Sequence, residues 1–586
     1  MSQVGGKAFD FKLFLKVMAY AKPYRALFIF SVFLTIALGG LGTARPILIR
    51  SVIDDAILMN DGPELIRLML LLVSLLVIEA LGQFGFMYAA NWLGQSIIKD
   101  IRIELYDKLQ TFRLGFYDRT PIGQLVTRVV SDIETISQIF SQGILVIFGD
   151  LFRIVVMLAA MFFFFNPILV LVSLSIIPIL FVATRWFQRG IKGAFQKVRT
   201  EVSNLNTFVQ EHLSGMSIVQ AFGREQQELD KFKEINDRHR NANVESIFYY
   251  ALFFPIIEVL SAMSIGLAVW YGGMNAATGG DVTVGELTAI IIFIGMLFRP
   301  LRQLADRFNT LQMGMVASER VLKLLDSDHE IERNGTQTIE SLQGEIAFKN
   351  VHFSYHPDEP ILKDVSFEVA KGETVAIVGA TGAGKSTIIS ALMGFYPYSD
   401  GSITIDGKEL KDINVHALRE QLALVLQDVF LFSDTVRANI VLGDESITDE
   451  ALLKAAEAIG ISEFIAELPQ GLDYNVQERG GVLSAGQRQL LAFLRAYITD
   501  PKVLILDEAT SSIDSHTEEL IQRALIALTK DRTSVIIAHR LSTIQHADRI
   551  IVLDKGQVIE VGNHKELLAK EGAYFNLYEK QFTSEV

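Results

Sequence analysis

"GATGAGKST", residues 379 to 387, is the stretch that decides the fold. It follows the apolar run "TVAIV" and opens a helical run, the setting that a phosphate-binding loop requires. Gly382 and Gly384 let the backbone turn its N–H groups inward on phosphate oxygens, and the helix start adds the positive end of its dipole. Lys385 is placed to reach the β- and γ-phosphates and Ser386 to ligate Mg²⁺. Gly379, Ala380, Thr381, Ala383 and Thr387 complete the loop. Downstream, "VLILDE" at 503 to 508 is an apolar strand with two carboxylates at its exit. A buried strand has no structural use for Asp507 and Glu508 there. A nucleotide site needs one acid near Mg²⁺ and another to polarise an attacking water.

Around these motifs, from Gly344 onward, short β-branched runs such as "EIAFKNVHFSY", "TSVIIAHR" and "RIIVLDKG" alternate with helical segments. That alternation predicts an α/β domain with a mainly parallel sheet. Residues 321 to 342 are polar and read as a linker. Before them the composition is different. Apolar stretches long enough to cross a bilayer as helices cover about 26–49, 66–94, 138–164, 167–187, 247–273 and 284–307. The third and fourth are parted only by the "FNP" break at 165 to 167. The expected architecture is a multidomain membrane protein. Residues 1–25 form an interfacial elbow helix, residues 26–320 an all-α six-helix transmembrane domain, and residues 343–586 an α/β P-loop nucleotide-binding domain.

Half of the 586 residues are hydrophobic and one fifth are charged, as expected for a membrane part joined to a soluble part. The absence of cysteine excludes disulfides, thiolate metal sites and cysteine nucleophiles. A net charge of −14 argues against nucleic acid as a partner. Residues 1 to 25 carry Lys7, Lys12, Lys16, Lys22 and Arg25 in an amphipathic pattern, which fits an elbow helix near 9 to 20 and not a signal peptide. Lys99, Arg102, Lys108, Arg113, Arg119 and Arg128 fill the connection after the second span, and ten more basic residues lie between Arg185 and Arg240. The other three connections carry almost none, so both termini and the two long connections are expected in the cytoplasm. Helical periodicity in the long connections extends the spans into the cytoplasm, with tips near 115 to 123 and 215 to 224.

Residues from Gly344 to about Phe582 resemble the nucleotide-binding domain of an ATP-binding-cassette transporter, with its α-helical subdomain. The spans before it resemble the exporter branch, fused as one half-transporter, similar to bacterial multidrug or lipid exporters of the cytoplasmic membrane. The resemblance implies ATP and Mg²⁺ as ligands. It assigns Tyr355 in "FSYHP" to adenine stacking, Gln427 in "LVLQD" to sensing Mg²⁺, and His539 in "IIAHR" to the γ-phosphate. It makes Glu508, His539 and Gln427 the catalytic set, with Mg²⁺ held by Ser386, Gln427 and Asp507. "ERG" at 478 to 480 resembles the exporter X-loop, and Ser512 to Asp514 the D-loop. "LSAGQ", Leu483, Ser484, Ala485, Gly486 and Gln487, stands where the family signature "LSGGQ" covers ATP held by the other subunit. The tips at Phe116-Tyr117-Asp118 and Phe222-Gly223-Arg224 match the family's coupling helices. The partners implied are a second half-transporter, the lipid bilayer and a hydrophobic small molecule or lipid.

Ala485 departs from the family pattern while the residues facing the chain's own ATP are intact. A Cβ there restricts the freedom that glycine gives, which favours a heterodimer over a homodimer with a tolerated variant. Within the spans, Asp150 and Arg153 are spaced to pair on one helix. Glu79 and Glu258 have no local partner; they line a polar cavity for cationic amphiphiles or hydrogen-bond across the bundle. The leading function is ATP-driven export or flipping of hydrophobic or amphipathic compounds. A non-transporting regulator or gated channel on the same fold is the alternative, disfavoured by Glu508 and His539.

Overall fold

Each apolar stretch read as a span lies on a long helix, because the bilayer leaves backbone groups no partner but one another. The computed structural model describes residues 10–327, 335–339, 341–356, 358–507, 514–538 and 540–582. The chain divides into two units, the first comprising 10–110 and 121–327 of these residues, the second 111–120 and those beyond 327.

In the first unit, helices α1 (Phe11–Ala19), α2 (Arg25–Ser51) and α3 (Gly62–Gln110) are followed by α5 (Ile122–Thr127), α6 (Ile133–Gln138) and α7 (Leu145–Phe164), with α4 (Leu114–Arg119) belonging to the second unit. Then come α8 (Pro167–Leu174), α9 (Ile177–Ser214), α10 (Met216–Ala221), α11 (Glu225–Ala277) and α12 (Val284–Leu325). Among the described residues, five stretches are long and apolar enough to span: Lys22–Ile57, Gly62–Gln110, Ile122–Phe164, Pro167–Ser214 and Glu225–Ala277. The sixth expected span falls on α12, where several side chains lie outside the described residues. This helix runs to Leu325, into the stretch read as linker. Asn166 caps α8 through its side chain and Pro167 occupies the first turn, so the "FNP" break is a helix stop and restart. The elbow is α1, capped by Asp10, and its Lys16 meets Asp326 at 2.6 Å.

Several acidic groups in this bundle are paired with arginines on other helices. Asp150 on α7 pairs with Arg307 on α12 at 2.9 Å and not with Arg153, which corrects the local-spacing expectation. Helical neighbours at i, i+3 share a face, but Asp150 finds a closer partner on a facing helix. Glu79 on α3 meets Arg45 on α2 at 3.8 Å, beside the Met296 sulfur. Glu258 is not without a partner either. For Glu79 the partner lies on a neighbouring helix, in keeping with the reading of a contact across the bundle. Asp132 accepts from Arg128 and Arg320, each at 3.3 Å. An apolar core of Met157, Met161, Leu169, Phe187, Phe253 and Phe293 knits α7, α8, α9, α11 and α12, with the Phe187 and Phe253 rings stacked at 3.9 Å.

The second unit holds two sheets. Strands β1 (Ile346–His356), β2 (Glu359–Val369), β4 (Asp400–Ile405) and β5 (Lys408–Glu409) form an antiparallel sheet in the order β2-β1-β4-β5. The other sheet contains β3 (Thr374–Gly379), β6 (Leu422–Val425), β7 (Val503–Asp507), β8 (Thr533–Ile537), β9 (Arg549–Asp554) and β10 (Gln557–Gly562), ordered β10-β9-β3-β8-β7-β6. All its pairings are parallel except β10 with β9. Its central strands β3, β7 and β8 are buried along nearly their whole length because both faces are covered. Val375, Ile377, Val503 and Ile505 enter one core with the antiparallel sheet and α13 (Lys385–Leu392). Their neighbours Ala376, Val378, Leu504 and Leu506 enter the core on the opposite face. The strand period of two thus distributes one run between two cores.

After α14 (Val415–Arg419) and β6, a helical insertion of α15 (Val436–Val441), α16 (Asp449–Ala458) and α17 (Ser462–Glu467) packs on α18 (Ala485–Ile498). The unit closes with α19 (Ser515–Thr529), α20 (Leu541–His546), α21 (His564–Ala569) and α22 (Ala573–Phe582).

Candidate functional site

Parallel strands align their C-terminal ends along one edge, and a ligand meets the loops there. In register, Ile377 of β3 lies beside Ile537 of β8, Ile537 beside Asp507 of β7, and Leu506 beside Val425 of β6. The loop 379 to 387, Asp507 and Gln427 therefore leave the same edge. Gln427 is exposed, two residues beyond β6.

The loop backbone takes the form its glycines permit. Gly382 has φ +83° and Gly384 φ +105°, both left-handed. A Cβ on Gly384 would come within 2.9 Å of Leu362 Cδ2. Lys385 opens α13 with its ammonium folded onto the loop, donating to the carbonyls of Gly379 at 2.7 Å and Ala380 at 3.1 Å. Burial pushes this ammonium below the usual lysine range, and Asp507 opposes that shift. Ser386 Oγ donates to Asp507 Oδ2 at 3.2 Å, so a hydroxyl and a carboxylate from two separate motifs converge. Hard oxygen donors on a helix start and a strand end suit Mg²⁺. Tyr355 at the end of β1 donates its phenol to Thr387 Oγ1 at 3.4 Å, which brings the residue assigned to adenine against the phosphate loop.

Three expected residues, Glu508, Ser512 and His539, lie outside the described residues. In the chain they directly follow β7 or lie just beyond β8. Asp514 is the N-cap of α19, accepting from Thr517 N at 2.9 Å, and those hydrogen bonds hold its carboxyl below the usual range.

The signature segment forms a helix start. Ser484 caps α18: its hydroxyl accepts from Gln487 N at 3.2 Å and its N–H donates to Gln487 Oε1 at 2.9 Å. That leaves the Ser484 O–H free to donate outward. Ala485 is the first residue of the helix, exposed, in ordinary right-handed backbone. Alanine is therefore unstrained at this position, because no glycine backbone is needed. Leu483 is buried and its carbonyl accepts from Arg488 at 2.8 Å, while Gly486 is buried in the first turn.

Local spacing missed one group. Residues Thr111–Thr120 belong to the second unit. There Tyr396 donates to Asp118 of α4, its ring lies edge-on to Tyr355 at 5.0 Å, and Arg119 reaches the Tyr355 carbonyl at 3.4 Å. Nothing in the sequence near Tyr396 announces a partner nearly three hundred positions earlier.

Two family descriptions match the chain: "ABC transporter transmembrane region" over residues 28–301 and "ABC transporter" over residues 362–511. The uncharacterized ABC transporter ATP-binding protein YknV of Bacillus subtilis (strain 168) is 37% identical over 583 residues, 99% of this chain and 96% of that protein. The chain belongs to the ABC transporter family. A Staphylococcus aureus (strain NCTC 8325 / PS 47) protein provisionally named as a multidrug export ATP-binding/permease protein is also 37% identical, over 580 residues, 97% of this chain and 99% of its own. The structure of a bacterial Atm1-family ABC exporter with ATP bound is similar with a TM-score of 0.75 and 28% identity, covering 95% of this chain and 98% of that one. This ABC transporter is thus a multi-pass membrane protein that couples ATP hydrolysis to transport. Its membrane and nucleotide-binding regions are fused in one half-transporter, and exporters of this family work as dimers.

Proposed function

We propose that this ABC transporter exports or flips hydrophobic and amphipathic compounds, drugs or lipids, across the cytoplasmic membrane of a bacterium. The nucleotide-binding domains and both termini face the cytoplasm in this reading. The observation that carries it is the meeting of Lys385, Ser386 and Asp507 at one sheet edge, in a chain whose long helices are apolar enough to span.

Lys385 supplies positive charge to the β- and γ-phosphates, and the loop N–H groups fix the chain of phosphates in place. Mg²⁺, held by Ser386, Asp507 and Gln427, neutralises phosphate charge when bound. Glu508 takes the proton of the attacking water as its oxygen bonds the γ-phosphorus, and ADP leaves with inorganic phosphate as the second product. His539 steadies the γ-phosphate, and Tyr355 stacks on adenine. The Ser484 O–H and the Gly486 N–H, an unpaired first-turn donor, close on ATP held by a second subunit. Closure of two nucleotide-binding domains on two ATP molecules then biases the membrane helices outward, since those contacts exist only in the closed state.

A heterodimer remains the preferred assembly, now resting on the bulk of the Ala485 methyl at a partner's phosphate and not on backbone strain. Glu79, with Arg45 beside it, and Glu258 are kept as cavity residues for an amphipathic substrate. Purifying this chain alone, reconstituting it in proteoliposomes and following ATPase and dye or lipid translocation tests the proposal. ATP-dependent translocation is expected when a second half-transporter is co-reconstituted, and little with this chain alone. ATPase with no movement of any amphiphile would favour a regulator. Strong substrate-stimulated turnover without a second chain would remove the heterodimer.

A further inference from the structure

Lys197 of α9 and the basic residues in the first half of α11 are spent on acidic partners. Lys197 meets Glu245 at 2.7 Å, Arg238 meets Glu234 at 2.7 Å, Lys231 meets Glu228 at 2.8 Å, Lys233 meets Asp230 at 2.9 Å and Arg240 meets Asp237 at 3.2 Å. Arg185, Arg189, Lys192 and Arg199 differ. Among the described residues they make no ion pair, and all four are exposed. From 177 to 200 the helix contains no acidic residue at all.

Their spacing puts them on one stripe. At about 100° per residue, Phe187, Ile191 and Ala194, which are buried, point one way, and Arg185, Arg189, Lys192 and Arg199 point the opposite way. Phe187 packs on Tyr250 and Phe253 of α11, so the basic stripe faces away from α11. One turn earlier on that same face stand Phe181 and Val182, 68% and 71% exposed. The face thus passes from exposed apolar to unpaired cationic within a few residues, at the end of the fourth apolar span. Trp186, also exposed, sits beside the change and leans on Tyr249 at 6.0 Å.

We propose that this face of α9 binds an anionic phospholipid of the adjoining leaflet, its phosphate on Arg185, Arg189 and Lys192 and its chain along Phe181 and Val182. The charge count that orients a membrane protein does not require this arrangement, since paired and unpaired residues anywhere in the connection would serve it equally. Unpaired guanidinium groups on one face, at the depth where an apolar surface ends, match the phosphate and acyl chain of a lipid in both charge and order. Arg185 to Lys192 spans about 10 Å of helix axis, the depth of a headgroup layer and not of the bilayer core. The inference rests on the cytoplasmic placement of these connections proposed above.

The test uses the full chain, as purified, in nanodiscs of phosphatidylcholine alone or doped with phosphatidylglycerol, comparing wild type with Arg185→Gln/Arg189→Gln/Lys192→Gln and with Lys231→Gln/Lys233→Gln. Bound lipid is counted by native mass spectrometry and ATPase is followed in parallel. Wild type and the distal variant should retain phosphatidylglycerol selectively and change their turnover with it. The stripe variant should lose that enrichment by more than about ten-fold, while keeping wild-type turnover in phosphatidylcholine. Equal enrichment in the stripe variant overturns the assignment. So does loss of the dimer in both lipid mixtures, which would make the face a subunit contact. Displacement of phosphatidylglycerol by inorganic phosphate at matched ionic strength would make it a free-anion site and overturn the lipid. ATPase in phosphatidylcholine reports separately on the transporter reading, so the two can fail independently.

Discussion

The two units use their polar side chains in opposite ways. In the nucleotide-binding unit, Lys385, Ser386 and Asp507 converge, and each retains capacity for a ligand. In the membrane unit, Asp150, Glu79 and Asp132 are each answered by an arginine on another element or the next turn. The first arrangement is chemistry awaiting a phosphate. The second removes charge from a low-dielectric environment, where an unpaired ion is costly. An ionisable residue inside a span is therefore a weaker sign of function here than one at a strand exit.

The largest effect that would break this contrast is the loss of Glu508. Glu508→Gln should lower steady-state ATPase at least ~100-fold, as removal of a general base does, while ATP stays bound. Radiolabelled nucleotide retained after rapid gel filtration checks it. Turnover at the wild-type rate would mean that the acid at the exit of β7 is not the base.

Chelation of Mg²⁺ comes next. With EDTA, hydrolysis should fall to background, yet the thermal midpoint of the nucleotide-free protein should stay put. Ser386 and Asp507 already hydrogen-bond each other, so their edge does not need the metal to hold together. A large drop in melting temperature on chelation would give the ion a structural role and weaken the contrast between the units.

How much of this could be read in advance follows from reach along the chain. Lys385 and Ser386 are set by a nine-residue loop, and Asp507 by one strand, so spacing alone located them. The sheet order that joins the two motifs was not visible, yet a parallel sheet brings strand ends together in any order. Arg307 is different. It sits on α12 while Asp150 sits on α7, and the nearer Arg153 was the only partner that local spacing could offer. Arg45 was in plain view beside Pro46, but nothing in the sequence places it at the depth of Glu79. Helical periodicity predicts which residues share a face. It does not predict which helix that face meets.

Asp150→Asn should destabilise the membrane unit by about 3 kcal/mol by leaving Arg307 uncompensated, and Arg153→Gln should do little. Replacing both Asp150 and Arg307 with residues that pack should recover most of the loss, which a double-mutant cycle of detergent-solubilised melting would show. ATPase per folded molecule should change little in all of them. If Arg153→Gln proved the more damaging, the helix-to-helix pairing would not be what neutralises Asp150.

The smallest effect concerns Ala485, where the two halves of a dimer are compared within one protein. Ala485 occupies the first turn of α18 with right-handed backbone, and Ser484 and Gln487 close the helix end around it. Ala485→Gly should therefore cost under ~1 kcal/mol of stability, through helix propensity alone. Its effect on turnover separates two accounts. If the methyl crowds a phosphate held by a second copy of this chain, glycine raises ATPase of the isolated protein several-fold. If the methyl meets an ATP that is bound but never hydrolysed on a different partner, glycine leaves the isolated chain's turnover unchanged and acts only when that partner is present. A fall in activity would contradict both, and would mean that the alanine holds the helix start in the position Ser484 needs.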